Sequence, residues 1–245
     1  MFCFCILHNG LNNIAVKRQK VEDKVMRKGL TEVVFILDRS GSMGGLEKDT
    51  IGGFNSLIEK QRKEEGEALI STVLFDDKTE VLYDRVPAER IEPMTEEQYY
   101  VRGCTALLDA VGGAVKHIAD VHRYIREEDV PEKTLFIITT DGMENASRKY
   151  GYREVKRMVE QQKEKGWEFL FIGANIDSVK VAGSFGIGAD RAVDYVSDKA
   201  GTALNYEVLG NTISAVRRAK NAKAASEAMF ECCAPIREDY AKRHK

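Results

Sequence analysis

Three short segments of the sequence carry hydroxyl and carboxylate side chains that suit a metal site. They are residues 38–43, 103–105 and 141–142. In the first segment an acid and two serines alternate along the chain, so in a tight extended turn their side chains face one point, and Gly41 lets the backbone pass close by. Oxygen donors of this kind are preferred by hard divalent cations, whereas thiolate and imidazole would indicate zinc. We therefore predict a site for Mg²⁺ or Mn²⁺. Its predicted ligands are Asp38, Ser40, Ser42, Thr105 and Asp141.

Each segment also has an ordinary structural explanation. Serine is a common helix cap, so Ser40 and Ser42 fit a plain strand-to-helix turn. Asp141-Gly142 is equally common as a turn pair. The metal site is favoured because the three segments occur together, each next to a predicted strand or helix.

The pattern of hydrophobic residues predicts the elements that hold these segments. Short β-rich runs alternate with helical periodicity from Thr31 onward, which is typical of a doubly wound α/β fold with a mostly parallel sheet and helices on both faces. Residues 33–37 and 134–139 are predicted strands. The runs 69–75 and 78–83 are separated only by Asp76-Asp77, which predicts a hairpin and one antiparallel strand at the sheet edge. Since ligand sites of such sheets lie at the carboxyl ends of the strands, we expect the three segments to meet there.

The domain organisation predicted from this pattern is simple. Residues 29–221 form one α/β domain, residues 1–28 a poorly structured N-terminal extension, and residues 222–245 a helical tail. The last clear helix is capped by Ser197 or Asp198. We expect residues 222–233 to extend this helix and Pro235 to end it.

The three segments resemble the metal-site motifs of a known family. Asp38-x-Ser40-x-Ser42 is similar to the D-x-S-x-S signature of the metal-ion-dependent adhesion site (MIDAS) in von Willebrand factor type A domains and integrin I domains. The resemblance continues with Thr105 and with Thr140-Asp141-Gly142, and it covers roughly residues 31–220. It implies a Rossmann-like fold and a protein-binding module that is not an enzyme.

The resemblance also implies roles for the site residues. Ser40 and Ser42 would coordinate the cation directly, and Thr105, Asp38 and Asp141 directly or through water. An Asp or Glu of a partner protein would supply the remaining ligand, and intracellular bacterial members of the family imply a place in an ATPase-linked assembly. Many members have a glycine where this chain has Cys104; we expect Cys104 to be a small buried residue at a helix start.

Composition excludes other classes of partner. Lys and Arg number 37 against 39 Asp and Glu, a formal charge of -2, so there is no basic field for nucleic acid. The apolar stretch at residues 1–7 is too short to span a bilayer, so we expect no membrane segment. The five cysteines match no disulfide framework or zinc spacing, which favours reduced thiols and a cytoplasmic location.

A Mg²⁺-dependent phosphoester hydrolase on a related α/β fold is the alternative function. Such enzymes use D-x-D after the first strand, but here the second position is Ser40. No G-x-S-x-G surrounds Ser42, and neither a dinucleotide nor a P-loop motif is present, so we assign no catalytic residues. Asp109 and the Asp76-Asp77 pair are placed outside the site. His117 and His122, five apart on one predicted helix, are expected to be solvated.

Overall fold

A six-stranded sheet forms the centre of the molecule, with strand order β3-β2-β1-β4-β5-β6. The structure is a computed structural model, and it describes residues 26–244. All neighbouring pairs are parallel except β2 and β3, so β3 is an antiparallel edge strand, as predicted. The strands are Arg27–Asp38 (β1), Glu67–Phe75 (β2), Thr79–Pro87 (β3), Pro131–Thr140 (β4), Glu168–Gly173 (β5) and Ala192–Asp194 (β6).

Helices cover both faces of the sheet, which confirms the predicted doubly wound α/β class. One face packs against α1, α5, α6 and α7, and the other against α2, α3 and α4. The helices are Glu47–Arg62 (α1), Leu107–Tyr124 (α2), Tyr152–Lys163 (α3), Ser178–Ser184 (α4), Lys199–Arg218 (α5), Ala222–Cys232 (α6) and Ala234–Arg243 (α7). None of the helices in the described range is long and apolar enough to cross a membrane.

The core lies on both sides of β1 because successive side chains of a strand point to opposite faces. Phe35 and Leu37 belong to the cluster under α1 and α5, whereas Val34 and Ile36 belong to the cluster under α2 and α3. β1 is flanked by β2 and β4 and is buried on both faces, which explains its unbroken apolar run. The carboxyl ends of β1 and β4 are thus held side by side.

The C-terminal prediction was wrong in two respects. α5 ends at Arg218, and a separate helix starts after Asn221, whose side chain accepts a hydrogen bond of 2.9 Å from the main-chain N–H of Ala224. Pro235 lies in the first turn of α7 instead of ending a helix. Proline is tolerated there because the first-turn N–H groups have no partner within the helix. Met229 and Ile236 are buried in the domain core, so the predicted tail packs onto the domain.

The predicted N-terminal extension lies outside the described residues except at its end, where β1 begins at Arg27. His117 fits its prediction, since its side chain is about half exposed and bonds to Asp84 at 2.9 Å. The prediction for His122 was wrong: its side chain is only 9% exposed and bonds to the buried carboxylate of Glu32. Periodicity within the helix cannot show that β1 brings an acid beneath it.

Candidate metal centre

The loop after β1 places its serines at the carboxyl edge of the sheet. Ser40 Oγ and Ser42 Oγ lie 3.1 Å apart, and Gly41–Met43 form a single 3₁₀ turn. The Ser40 side chain makes no capping bond to that turn, and α1 begins only after Leu46. The ordinary explanation of these serines as helix caps therefore does not hold.

The second segment brings Thr105 to the same point. Thr105 Oγ1 donates a hydrogen bond of 3.1 Å to Ser40 Oγ, and its main-chain N–H donates to Asn145 Oδ1 at 2.9 Å. The prediction for Cys104 was wrong, because this residue is exposed. The loop turns at Gly103, where φ is 68°, so that Thr105 and not Cys104 enters the interior.

The third segment, after β4, adds Asp141 and a close approach by Gly142. A Cβ atom on Gly142 would lie 3.0 Å from Thr105 Oγ1 and 3.1 Å from Ser42 Oγ, closer than most real Cβ contacts. Glycine is thus favoured at this position by the hydroxyl groups that converge beside it. A turn-forming Asp-Gly pair would not need that convergence.

Neutral groups hold both carboxylates of the site. Asp38 accepts hydrogen bonds of 2.6 Å from the main-chain N–H of Ser40 and 2.6 Å from Thr140 Oγ1. Asp141 accepts from Asn175 Nδ2 on one oxygen and from Ser197 Oγ on the other. These contacts fix the orientation of each carboxylate, and none of these donors is positively charged.

The charge balance separates these two acids from the other buried acids. In the described part of the chain, buried Asp and Glu residues are Glu32, Asp38, Asp76 and Asp141. Glu32 is paired with Arg85 and His122, and Asp76 with Arg39 and Arg102. Within residues 26–244, neither Asp38 nor Asp141 forms such a pair. A buried charge is normally paired, bound to a metal or neutralised, so these two acids are the buried carboxylates available to hold a cation.

The pKa values follow the same division. Burial raises the pKa of Asp38, and burial together with the nearby charge of Asp38 raises that of Asp141. For Asp76, burial acts in the same direction, but hydrogen bonds from Arg102, the main chain and Arg39 outweigh it and lower the pKa. Asp38 and Asp141 thus differ from Asp76 in that their surroundings disfavour the negative charge.

The donors present fit a hard cation. Among the described residues, no three His, Cys, Asp or Glu side chains gather into a metal-binding group. A site here therefore depends on hydroxyl oxygens together with the two acids, and the structure brings all five sequence-predicted residues to one edge of the sheet. Such an all-oxygen set suits Mg²⁺, Mn²⁺ or Ca²⁺ better than a soft metal.

Several residues that support the site were missed or misassigned from the sequence. Asn145 holds the Thr105 backbone, and Glu144 accepts from the main-chain N–H of Leu108 at the start of α2 at 2.8 Å. Asn175 follows β5, a position that could have been flagged because it is also a strand's carboxyl end. Ser197 was considered only as a helix cap, but Asp198 caps α5 and Ser197 contacts Asp141.

The acids predicted to lie outside the site have other partners. Asp76 forms a buried ion pair of 2.9 Å with Arg39. Asp109 accepts main-chain hydrogen bonds from residues 148, 149 and 150, and so anchors the segment that follows the third loop. Both acids stabilise the loops that carry the candidate ligands.

Comparison with known proteins identifies the fold. No protein-family model matches the sequence, and a search of curated proteins gives no match. The structure is similar to proximal thread matrix protein 1 from the mussel byssus, in a form with a zinc-occupied MIDAS motif, with a TM-score of 0.52 and 15% identity over 76% of this chain. A second crystal form of that protein gives a TM-score of 0.51 and 14% identity. This chain spans 46% of the length of the mussel protein's chain.

A bacterial domain matches over nearly its whole length. The vWF domain of the type V pili tip protein Mfa5 from Porphyromonas gingivalis has a TM-score of 0.52 and 11% identity, and the match covers 78% of this chain and 97% of that one. At these identities the comparisons establish a shared fold.

Proposed function

We propose that this chain, which has the fold of von Willebrand factor type A domains, is a metal-dependent protein-binding domain. The residues that would hold one Mg²⁺ or Mn²⁺ are Asp38, Ser40, Ser42, Thr105 and Asp141. When bound, the cation would offer an open coordination position to a carboxylate oxygen from an Asp or Glu of a partner protein. The observation that carries the proposal is a pair of buried acids that have no cationic partner within residues 26–244, beside three converging hydroxyl groups.

The hydrogen bonds around the acids support a preorganised centre. Asn175 and Ser197 orient Asp141, and Thr140 orients Asp38. Supporting contacts of this kind around ligands set the affinity of metal sites. The remaining donors are neutral hydroxyl groups, which leave more of the cation's positive charge available to an incoming carboxylate.

The choice of cation is supported by the donor chemistry. The mussel protein with the same fold has zinc in its motif. In the present chain the five proposed ligands are all oxygen donors, and Cys104 is exposed next to Thr105 without belonging to the set. Oxygen donors favour Mg²⁺ or Mn²⁺ over zinc.

The setting of this binding domain is also a proposal. The near-neutral charge of the chain supports a protein partner over nucleic acid. The cysteines, which match no disulfide framework, support a cytoplasmic location. The family resemblance is compatible with a partner within an ATPase-linked assembly. Affinity capture from the native host, performed with Mg²⁺ and repeated with chelator, tests the partner: prey retained only with Mg²⁺ would identify the process.

Isothermal titration tests the metal site directly. We expect Mn²⁺ and Mg²⁺ to bind with one-to-one stoichiometry, and Asp38→Ala to abolish binding. Asp84→Ala is the matched control, because Asp84 is a half-exposed acid on the edge strand β3, where it pairs with His117 of α2. Absence of binding by the wild-type chain, or binding that survives Asp38→Ala, would overturn the proposal.

A further inference from the structure

A groove of about 820 Å³ opens beside the candidate metal centre. Its walls are formed by the loop between β5 and α4, the loop between β6 and α5, and the end of α7. The side chains that line it are predominantly apolar or aromatic. They include Met143, Tyr152, Ile176, Val181, Tyr195 and Tyr240.

The groove and the candidate metal centre share a wall. Asn175 and Ser197 line the groove, and each donates a hydrogen bond to Asp141. Met143, only two residues after Asp141, is 68% exposed at the groove's edge. An apolar surface therefore lies directly beside the candidate metal centre.

The C-terminal helix completes this surface. α7 is anchored by buried Ile236 and by an ion pair between Arg243 and Asp198, the residue that caps α5. The rings of Tyr240 and His244 stack with their centres 4.0 Å apart, and both residues line the groove. The end of α7 thus brings two aromatic rings back to the edge of the sheet where the candidate ligands lie.

The charges around the groove define what it can accept. Lys180 and Asp177 lie at its rim and are exposed, while its floor has few groups that could compensate a buried charge. Burying a charged side chain there would be costly, whereas burying an apolar one is favourable. A negatively charged side chain of a partner would instead bind the cation at the adjoining candidate metal centre.

We propose that the groove binds an apolar side chain, aromatic or aliphatic, that lies within a few residues of the Asp or Glu contacting the metal. The recognised partner is then a short acidic-apolar segment of a protein, read at two adjacent positions. This inference rests on the proposed function, since the carboxylate contact sets the register of the segment. Exposed apolar patches beside a polar anchor are typical of protein-binding surfaces.

Labelled heptapeptides with a central Glu test the proposal by fluorescence anisotropy on the full chain. One peptide carries Phe two residues before and two residues after the Glu, a second carries Ser at both positions, and a third has the Phe residues with Gln in place of Glu. With saturating Mg²⁺ we expect the Phe peptide to bind at least tenfold more tightly than the Ser peptide. Chelator, or the change of Glu to Gln, should remove most of the binding.

Substitutions of groove residues test whether the preference for the Phe peptide arises in the groove. Met143→Ser and Tyr240→Ser should each reduce the preference for Phe over Ser to below about threefold, while Mn²⁺ affinity measured by titration stays within threefold of wild type. Tyr124→Ser is the matched control, because Tyr124 is 81% exposed at the opposite end of α2 from Thr105. Met143 is itself exposed, so its variant tests the groove even if Tyr240→Ser does not fold.

The outcomes separate the two proposals. Equal binding of the Phe and Ser peptides, or no peptide binding by a chain that binds Mn²⁺, would overturn the proposed role of the groove. The proposed metal site would be unaffected by that result. Absence of Mn²⁺ binding would overturn the proposed function, and the two-position reading with it. Phe-dependent binding that is unchanged by chelator and by Gln would show an apolar site independent of the metal, which also contradicts the inference.

Discussion

The hydroxyl of Tyr99 donates a hydrogen bond of 2.6 Å to the main-chain carbonyl of Asp38. Tyr99 is fully buried, and it belongs to the connection between β3 and α2, 61 residues further along the chain. The contact holds the backbone at the point where β1 ends and the first metal-site loop begins. A residue with no role as a metal ligand therefore helps to position two that are proposed to be ligands, Asp38 and Ser40.

Tyr99→Phe should lower the free energy of unfolding by about 1–2 kcal/mol, since the Asp38 carbonyl is left without this buried partner. Urea denaturation followed by circular dichroism measures the change. Tyr124→Phe, which removes a hydroxyl from an exposed ring, should change stability by less than about 0.5 kcal/mol. Equal effects of the two variants would show that the Tyr99 contact does not hold the loop.

Ser197→Ala should weaken Mn²⁺ binding roughly 10- to 100-fold without unfolding the domain, because it removes one of the two side chains that orient Asp141. Isothermal titration provides the affinity. Ser56→Ala, an exposed serine on α1, is the control and should bind Mn²⁺ like the wild type. Wild-type affinity in Ser197→Ala would mean that Asp141 needs no such support or does not contact the cation.

Asp141→Asn should leave the melting temperature in chelator equal to or above that of the wild type, because it removes a buried charge that no cation among the described residues compensates. Mn²⁺ at 100 times its dissociation constant should stabilise the wild type by about 2.7 kcal/mol and the variant not at all. Differential scanning fluorimetry measures the melting temperature of the wild type and of Asp141→Asn, each in chelator and with Mn²⁺.

Asp109→Asn is the control for that experiment. Its carboxylate accepts three main-chain hydrogen bonds, so the substitution should lower the melting temperature with and without Mn²⁺ yet retain the Mn²⁺-induced rise. A rise that persists in Asp141→Asn would remove Asp141 from the ligand set.

Arg39→Met should destabilise the domain by about 3–5 kcal/mol, because it breaks a fully buried ion pair with Asp76 and leaves that carboxylate to Arg102 alone. Arg126→Met, which loses only exposed ion pairs, should cost less than about 1 kcal/mol. Chemical denaturation measures both. A small effect of Arg39→Met would show that Arg102 compensates Asp76 by itself.

Hydrolase activity is tested with p-nitrophenyl phosphate and Mg²⁺. We expect no turnover above the rate with buffer alone, because the position two residues after Asp38 is a serine and not a second carboxylate. Turnover that disappears in Asp38→Ala would favour the hydrolase instead of the binding domain.

The order of strands and helices and the three metal-site segments were readable from the sequence. Each depends on short-range information: periods of two or 3.6 residues identify the elements, and Asp38, Ser40 and Ser42 lie within five residues of one another. A parallel sheet places the carboxyl ends of β1 and β4 at the same edge, and the strand order of the structure then makes them neighbours, which brings Asp141 toward Asp38.

Contacts between distant segments were decided only by the tertiary structure. The interaction of Ser197 with Asp141 and the burial of His122 against Glu32 join residues 56 and 90 positions apart, and no local pattern records them. The position of α7 is a further example. Asn221 caps α6, which separates it from α5, and Ile236 of α7 is buried in the core, so that α7 lies at the metal-site edge of the sheet. Periodicity specifies which face of an element is apolar, whereas the partner of that face depends on how the whole chain packs.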